Sequence, residues 1–323
     1  MKIGVLITLL AIVCSCSPPA SQGSLLSVAT SVSPITDLVH RIGQDLVELS
    51  GLVPEGVNAH TFEPSPRDVA SLATADLIFL NGLGLEEGLG KLAHERSNAR
   101  VVLLGEMAIP EEEWIYDDSF PKESGHPNPH SWTNPPYAKR FTALIEAELS
   151  KADPDNKDVY KQNRSELDKI IDSLDGAVRT ATSTVPPEDR KLLTYHDSFP
   201  YFAREYGWSV ISAIQPSDFS EPSAADMAAL IEQIKSERVK AVFGSEVFPS
   251  PVLEQIARLS GARYVDDLRD DDLPGEPGDA DHSYIGLMRF DYTTIVEALG
   301  GDASAIEAVP SPGPTKGSVD YRG

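Results

Sequence analysis

Cysteine is nearly absent from this chain. Its 323 residues include two, Cys14 and Cys16, both close to the N-terminus. A mature chain that starts after them forms no internal disulfide and offers no thiolate to a metal or a nucleophilic mechanism. Basic residues are also scarce: 27 Lys and Arg stand against 50 Asp and Glu, a formal net charge of −23. That balance excludes ordinary nucleic-acid binding, which needs cations to meet phosphates. A cationic ligand remains compatible with it. The apolar run Ile3 to Val13 is eleven residues long, and no other run reaches the ~20 residues of a bilayer-spanning helix. The hydrolase patterns His-Glu-x-x-His and Gly-x-Ser-x-Gly do not occur. What is present suffices for folding. With 41% hydrophobic and 7% aromatic residues the chain can pack a core, and its length corresponds to about two domains of roughly 150 residues.

The first residues bear on the compartment. Lys2, the short apolar run and the small residues after it describe a secretory signal. Val13-Cys14-Ser15-Cys16 resembles a bacterial lipobox in which Cys16 carries the lipid. Cys14 is the rival, but Val13 would then occupy a position where a small residue is expected. The expected layout is a lipoprotein signal over 1–16, a flexible Pro/Ser/Gly tether over 17–24, and an extracytoplasmic domain held at the membrane by a lipid anchor.

The body alternates strands with helices. Leu26 to Thr30, Asp76 to Leu80 and Arg100 to Leu104 are strand candidates, and Val69 to Ala75 and Tyr137 to Leu149 have helical spacing. The alternation returns in Lys191 to Thr194, Trp208 to Ile214, Val239 to Phe243 and Ala262 to Val265. This predicts an α/β fold with parallel sheets flanked by helices. An internal echo, Glu63-Pro64-Ser65-Pro66-Arg67-Asp68 against Glu221-Pro222-Ser223-Ala224-Ala225-Asp226, places a Ser N-cap three residues before an Asp in both halves. Between the halves, Tyr160, Leu167, Ile170, Ile171, Leu174 and Val178 recur at helical spacing, and only Gly176 interrupts the stretch. The reading is therefore two lobes, 25–152 and 186–302, joined by a long rigid helix within 153–185. Residues 303–323, rich in Pro, Gly and Ser, are expected to be a disordered tail.

Three of the seven histidines, His60, His130 and His196, lie in loops next to helix starts or at a strand end, and Asp266 follows a strand in the manner of His196. Ligands gather at the carboxyl ends of strands in open α/β sheets, so these positions can converge. Imidazoles with one carboxylate make a tetrahedral zinc set. Two acidic stretches accompany them. Glu106 to Glu123 holds seven acids and one Lys, and Asp266 to Asp281 holds eight acids and one Arg. Both read mainly as solvated surface. His126, four residues before His130, is a candidate entry or auxiliary ligand. Asp267 replaces Asp266 if the strand register slips by one residue. Glu63, Asp197 and Glu246 are candidate outer partners, since a metal-bound His usually gives its other N–H to a carboxylate or carbonyl.

Four ordered motifs carry a specific resemblance: Ala59-His60-Thr61-Phe62-Glu63-Pro64, Asn128-Pro129-His130-Ser131-Trp132, His196-Asp197-Ser198-Phe199-Pro200-Tyr201 and Tyr264-Val265-Asp266-Asp267-Leu268. Together they resemble the solute-binding lipoproteins of zinc/manganese ABC transporters, over nearly all of residues 25–300. The resemblance implies two α/β lobes joined by a rigid helix, with His60, His130, His196 and Asp266 as metal ligands. It implies a monomer that delivers its ion to a membrane permease, with a zinc metallochaperone as a further candidate partner. Manganese members tend to have Glu at the third position, so His196 favours Zn2+, with Mn2+ as the alternative. Many members have Asp where this chain has Asn128, and the long His-rich loop of some zinc members is missing. A manganese- or iron-binding member, a metal-binding surface adhesin and a zinc hydrolase using Glu246 as base are the competing readings.

Overall fold

The computed structural model describes residues 25–117, 119–215, 222–245, 251–266, 268–269, 271–313 and 315–321. Cys14 and Cys16, the tether, Glu246 and Asp267 lie outside the described residues.

The N-terminal half builds strands β1 (Leu26–Thr30), β2 (Val47–Gly51), β3 (Leu77–Leu80) and β4 (Arg100–Leu103). Its helices are α1 (Ser33–Gly43), α2 (Pro66–Thr74), α3 (Glu87–Arg96), α4 (Leu104–Ala108) and α5 (Pro135–Ala152). A single helix α6 (Lys157–Thr184) follows. The C-terminal half adds β5 (Lys191–Thr194), α7 (Pro200–Tyr206), β6 (Ser209–Ala213), α8 (Ala224–Glu237), β7 (Ala241–Phe243), α9 (Pro251–Ser260), β8 (Arg263–Val265), α10 (Tyr284–Ala298) and α11 (Ser304–Glu307). The chain ends in β9 (Val319–Tyr321). Two sheets result, ordered β4-β3-β1-β2-β9 and β6-β5-β7-β8, and every pairing is parallel. In each sheet the chain leaves the first strand of that half in both directions, to β2 and β3 from β1, and to β6 and β7 from β5. These switch points are where an α/β sheet opens a crevice at its carboxyl edge.

The echoed segments fold alike. Ser65 and Asp68 form a reciprocal capping box at the start of α2, and Ser223 and Asp226 do the same at α8. Pro66 takes the first position of α2, where its missing N–H costs no hydrogen bond.

Helix α6 has 28 residues, so at ~1.5 Å per residue it extends roughly 42 Å. It buries Tyr160, Leu167, Ile171, Leu174, Val178 and Ala181. Gly176 sits in it on an exposed turn with open space around its Cα, so the helix runs through it unbroken. A glycine there costs about 1 kcal/mol against alanine, which this buried stripe outweighs. One large apolar core joins the N-terminal sheet, α6 and the inner C-terminal helices. A smaller separate core (Leu193, Tyr195, Ile214, Leu230, Ile234, Val239, Val242, Leu253, Ile256, Ala257) holds the outer part of the second sheet.

The end of the chain corrects the expectation of a disordered tail over 303–323. Residues 304–307 are helical, and β9 pairs with β2 in the register Leu49↔Val319, Ser50↔Asp320, Gly51↔Tyr321. The approach is tied to α1: Arg41 Nη1 donates to the Gly313 carbonyl at 3.1 Å, and both ring nitrogens of His40 are engaged, by Lys316 O at 3.2 Å and Thr315 Oγ1 at 3.0 Å. Pro, Gly and Ser disfavour a long periodic element here, but the open edge of β2 needs only three residues to be paired.

Candidate metal centre

Each histidine is placed by its own local device. His60 lies in the 3-10 turn Ala59–Thr61, capped by Asn58, whose Oδ1 accepts the His60 backbone N–H at 2.9 Å. His130 begins a similar turn before α5, and Asn128 repeats the device: its Oδ1 accepts the His130 N–H at 3.0 Å. His196 leaves the carboxyl end of β5, where Tyr195 N still donates to Phe243 O at 2.8 Å. The chain then turns through a Ser198 N to His196 O bond into α7.

The three imidazoles meet between the sheets. His130 Nε2 lies 3.3 Å from His60 Nε2 and 3.0 Å from His196 Nε2. One ligand atom from each falls within 4.8 Å of the others. Zn–N bonds of about 2.0–2.1 Å in a tetrahedron put nitrogens about 3.3–3.4 Å apart. The observed spacing therefore fits a single small ion. His130 is fully buried and His196 nearly so, at 0% and 5% exposure, while His60 is partly open. Phe120 and Trp132 wall the group, with ring centroids 5.6 Å (Phe120 to His60), 6.0 Å (Phe120 to His130) and 5.1 Å (Trp132 to His130).

Burial pushes the His60 and His130 pKa values well below 6.5, and the neighbouring His196 lowers them further. Both are therefore neutral at physiological pH, as a metal ligand must be. His130 Nδ1 lies 2.9 Å from Asn128 Oδ1, and His196 Nδ1 lies 3.1 Å from Gln215 Oε1. An Nδ1–H donated to each of those amide oxygens is the tautomer that leaves the Nε2 lone pairs directed at the common point.

The other named residues behave differently. Asp266 is exposed and outside the three-histidine group; its Oδ1 accepts from Tyr264 Oη, two residues back on the same strand face. Glu63 is exposed and forms no hydrogen bond among the described residues. Asp197 is buried beside His196, and its backbone carbonyl receives Asn128 Nδ2 at 2.8 Å. His126 turns away from the centre, into a cavity of about 520 Å³ lined also by His94 and Glu106, and pairs with Glu87 Oε1 at 2.9 Å. Among the described residues the outer partners of His130 and His196 include the amides of Asn128 and Gln215, and the Asp197 backbone carbonyl also bonds the His130 ring. Gln215 left no signal in the sequence, whereas Asn128 could have been found by its place two residues before His130, matching Asn58 before His60.

Two parallel-sheet lobes, a spanning helix and three converging imidazoles define a metal-binding protein of the two-lobed solute-receptor class. The family model described as "Zinc-uptake complex component A periplasmic" matches residues 28–298. The chain belongs to that family, the solute-binding proteins of zinc/manganese ABC transporters, which are binding proteins rather than enzymes. It is 31% identical over 284 residues to the zinc-binding protein TroA of Treponema pallidum, covering 87% of this chain and 90% of that one. It is 30% identical over 288 residues to the manganese-binding lipoprotein MntA of Bacillus subtilis, covering 86% and 91%. The solved structure of the periplasmic zinc-binding TroA superposes with a TM-score of 0.78 at 29% identity, over 85% of this chain and 99% of that one.

Proposed function

We propose that this protein captures one zinc ion at His60, His130 and His196, closes the site with Asp266, and delivers the ion to an ABC permease for import. The observation that carries this reading is the convergence of three Nε2 atoms at zinc-like spacing in a chain whose only thiols lie in its signal-like leader. Zinc is preferred to manganese because three imidazoles suit the softer ion, whereas manganese favours carboxylate and water. A site that takes three imidazoles and one carboxylate leaves no open position for an activated water, in keeping with capture instead of catalysis. Among the described residues no helix is long and apolar enough to cross a membrane. The anchor proposed, from the lipobox-like Val13-Cys14-Ser15-Cys16, is a lipid on Cys16, with the protein acting as an extracytoplasmic monomer.

Competitive titration of the metal-free protein with zinc and manganese tests the reading. One zinc is expected to bind tightly and to resist equimolar manganese. Each of H60A, H130A and H196A should lose that affinity. Unchanged one-site zinc binding in the histidine variants, or manganese competing at equal concentration, would overturn it. For the anchor, C16S is expected to shed the protein from membranes into the soluble fraction.

A further inference from the structure

Asn128 does more than start a turn. Its Oδ1 accepts two hydrogens from one residue, the His130 backbone N–H at 3.0 Å and the His130 ring at Nδ1, 2.9 Å away. A backbone N–H can only donate, so the atom it meets must be the amide oxygen and not the nitrogen. It follows that Nδ1 carries the ring proton and Nε2 carries the lone pair. The same logic holds at the other end. Asn128 Nδ2 gives its hydrogens to the Asp197 carbonyl at 2.8 Å and to Asp117 Oδ2 at 3.1 Å, and a backbone carbonyl can only accept. The backbone of Asn128 is held as well: its N–H donates to Ile115 O at 2.8 Å and its carbonyl accepts from Tyr201 Oη at 2.9 Å.

Two connections follow from these bonds. Asn128 ties the His130 ring to the segment that carries His196, on the other lobe. It also links the centre to the acidic stretch 106–123, through Asp117. That carboxylate accepts the Phe120 N–H at Oδ1, 2.8 Å, while Asp117 N donates to Phe120 O at 3.1 Å, a tight turn that sets the Phe120 ring against His60 and His130.

We propose that Asn128, supported by Asp117, is the positioning residue of the metal centre: it fixes the His130 tautomer and spaces His130 against His196 with a neutral partner. The inference rests on the reading that the three histidines hold zinc. An aspartate at 128 would still accept from His130, but it would present its carboxylate to the Asp117 carboxylate and the Asp197 carbonyl with no hydrogen to give either. The role of Asp117 is therefore to require an amide at 128.

The test uses the metal-free protein, with zinc as the probe and a competing chelator as the readout. It adds a long-range ¹H–¹⁵N spectrum of the imidazoles. In the wild type, His130 is expected to show protonated Nδ1 and unprotonated Nε2. N128D should weaken zinc by about 10- to 100-fold, the range typical of outer ligand partners. The exchange D117N/N128D, in which the new amide at 117 donates to the new carboxylate at 128, should recover part of that loss but not all of it, because the Asp197 carbonyl still lacks its donor. Wild-type affinity in N128D, or a folded double variant that recovers nothing, overturns the proposal. If N128D does not fold, D117A decides: weaker zinc binding with mixed His130 tautomers supports the proposal, and an unchanged spectrum and affinity refute it. H130A separates the two levels. If it keeps full zinc affinity the zinc-site reading itself has failed, whereas its loss beside a normal N128D defeats only the role of Asn128.

Discussion

The two sides of the metal centre are built to different standards. His130 and His196 are buried and stitched together across the lobes: Asn128 Nδ2 reaches Asp197 O, Thr133 Oγ1 reaches Ser198 O at 3.1 Å, and Asn134 Nδ2 reaches Tyr201 O at 3.2 Å. His60 and Asp266 lie outside this seam. His60 rides on a short capped turn with an open edge, and Asp266 stands exposed at the end of β8 with its carboxylate on Tyr264. The strand before Asp266 is divided between the cores, with Tyr264 on the smaller one and Val265 on the main one. The difference teaches a division of labour. On the proposed reading, the buried pair of imidazoles sets the spacing of the site, and the more open His60 and Asp266 complete it around the ion.

The comparison is broken most severely by removing its rigid member. H130A should cost more than the about 10- to 100-fold that an outer partner commands. D266A should cost less than H130A and leave the thermal stability of the metal-free protein unchanged, because the Asp266 side chain is exposed. Calorimetric zinc titration with parallel melting curves checks both. Equal losses would show that the two sides are not different in kind.

Acid sharpens the same contrast. The unfolded chain protonates its histidines near ~6.5, whereas burial holds His60 and His130 well below that value in the fold. Between those limits the unfolded state binds more protons, so the stability of the metal-free protein falls as pH drops below about 6.5. It ceases to fall once the folded histidines also protonate. Zinc affinity should stay nearly flat from pH 8 to about 6.5 and decline only below it. A decline already complete at pH 6.5 would mean the imidazoles are not shielded.

The smallest effect on binding is expected from the chain end. Ending the chain at Pro310 removes β9 and the contacts to His40 and Arg41 while keeping Ile306 and Val309 in the core. The melting temperature should fall by about 2 °C, the shift that 1 kcal/mol or so produces in a chain of this size, with zinc affinity unaltered. A tenfold affinity loss would place the tail in the working site.

Much of this was legible in the residues. Parallel α/β lobes followed from alternating apolar runs and helical spacing, and the two Ser-x-x-Asp starts became matching capping boxes because that device is wholly local. The three histidines were found through ordered motifs and not through their separation, which is too wide for a compact signature. Three-residue β9 was hidden, since its stability comes from the edge of β2 and not from its own composition. Gln215 was hidden for a related reason. It reaches His196 only because β6 pairs with β5, through a register shift after Leu192, so nothing in its own neighbourhood marks it. His126 misled by its closeness to His130 in the chain. Packed against Gly84, which has φ +83° and no side chain to displace it, its ring points toward Glu87 instead.

The central claim is a zinc site of three imidazoles whose last ligand is a carboxylate. X-ray absorption at the zinc edge of the loaded protein tests it most directly. The account predicts three imidazole nitrogens and one oxygen at about 2.0–2.1 Å, falling to two imidazoles in H196A. Two or fewer imidazoles in the wild-type spectrum would contradict it.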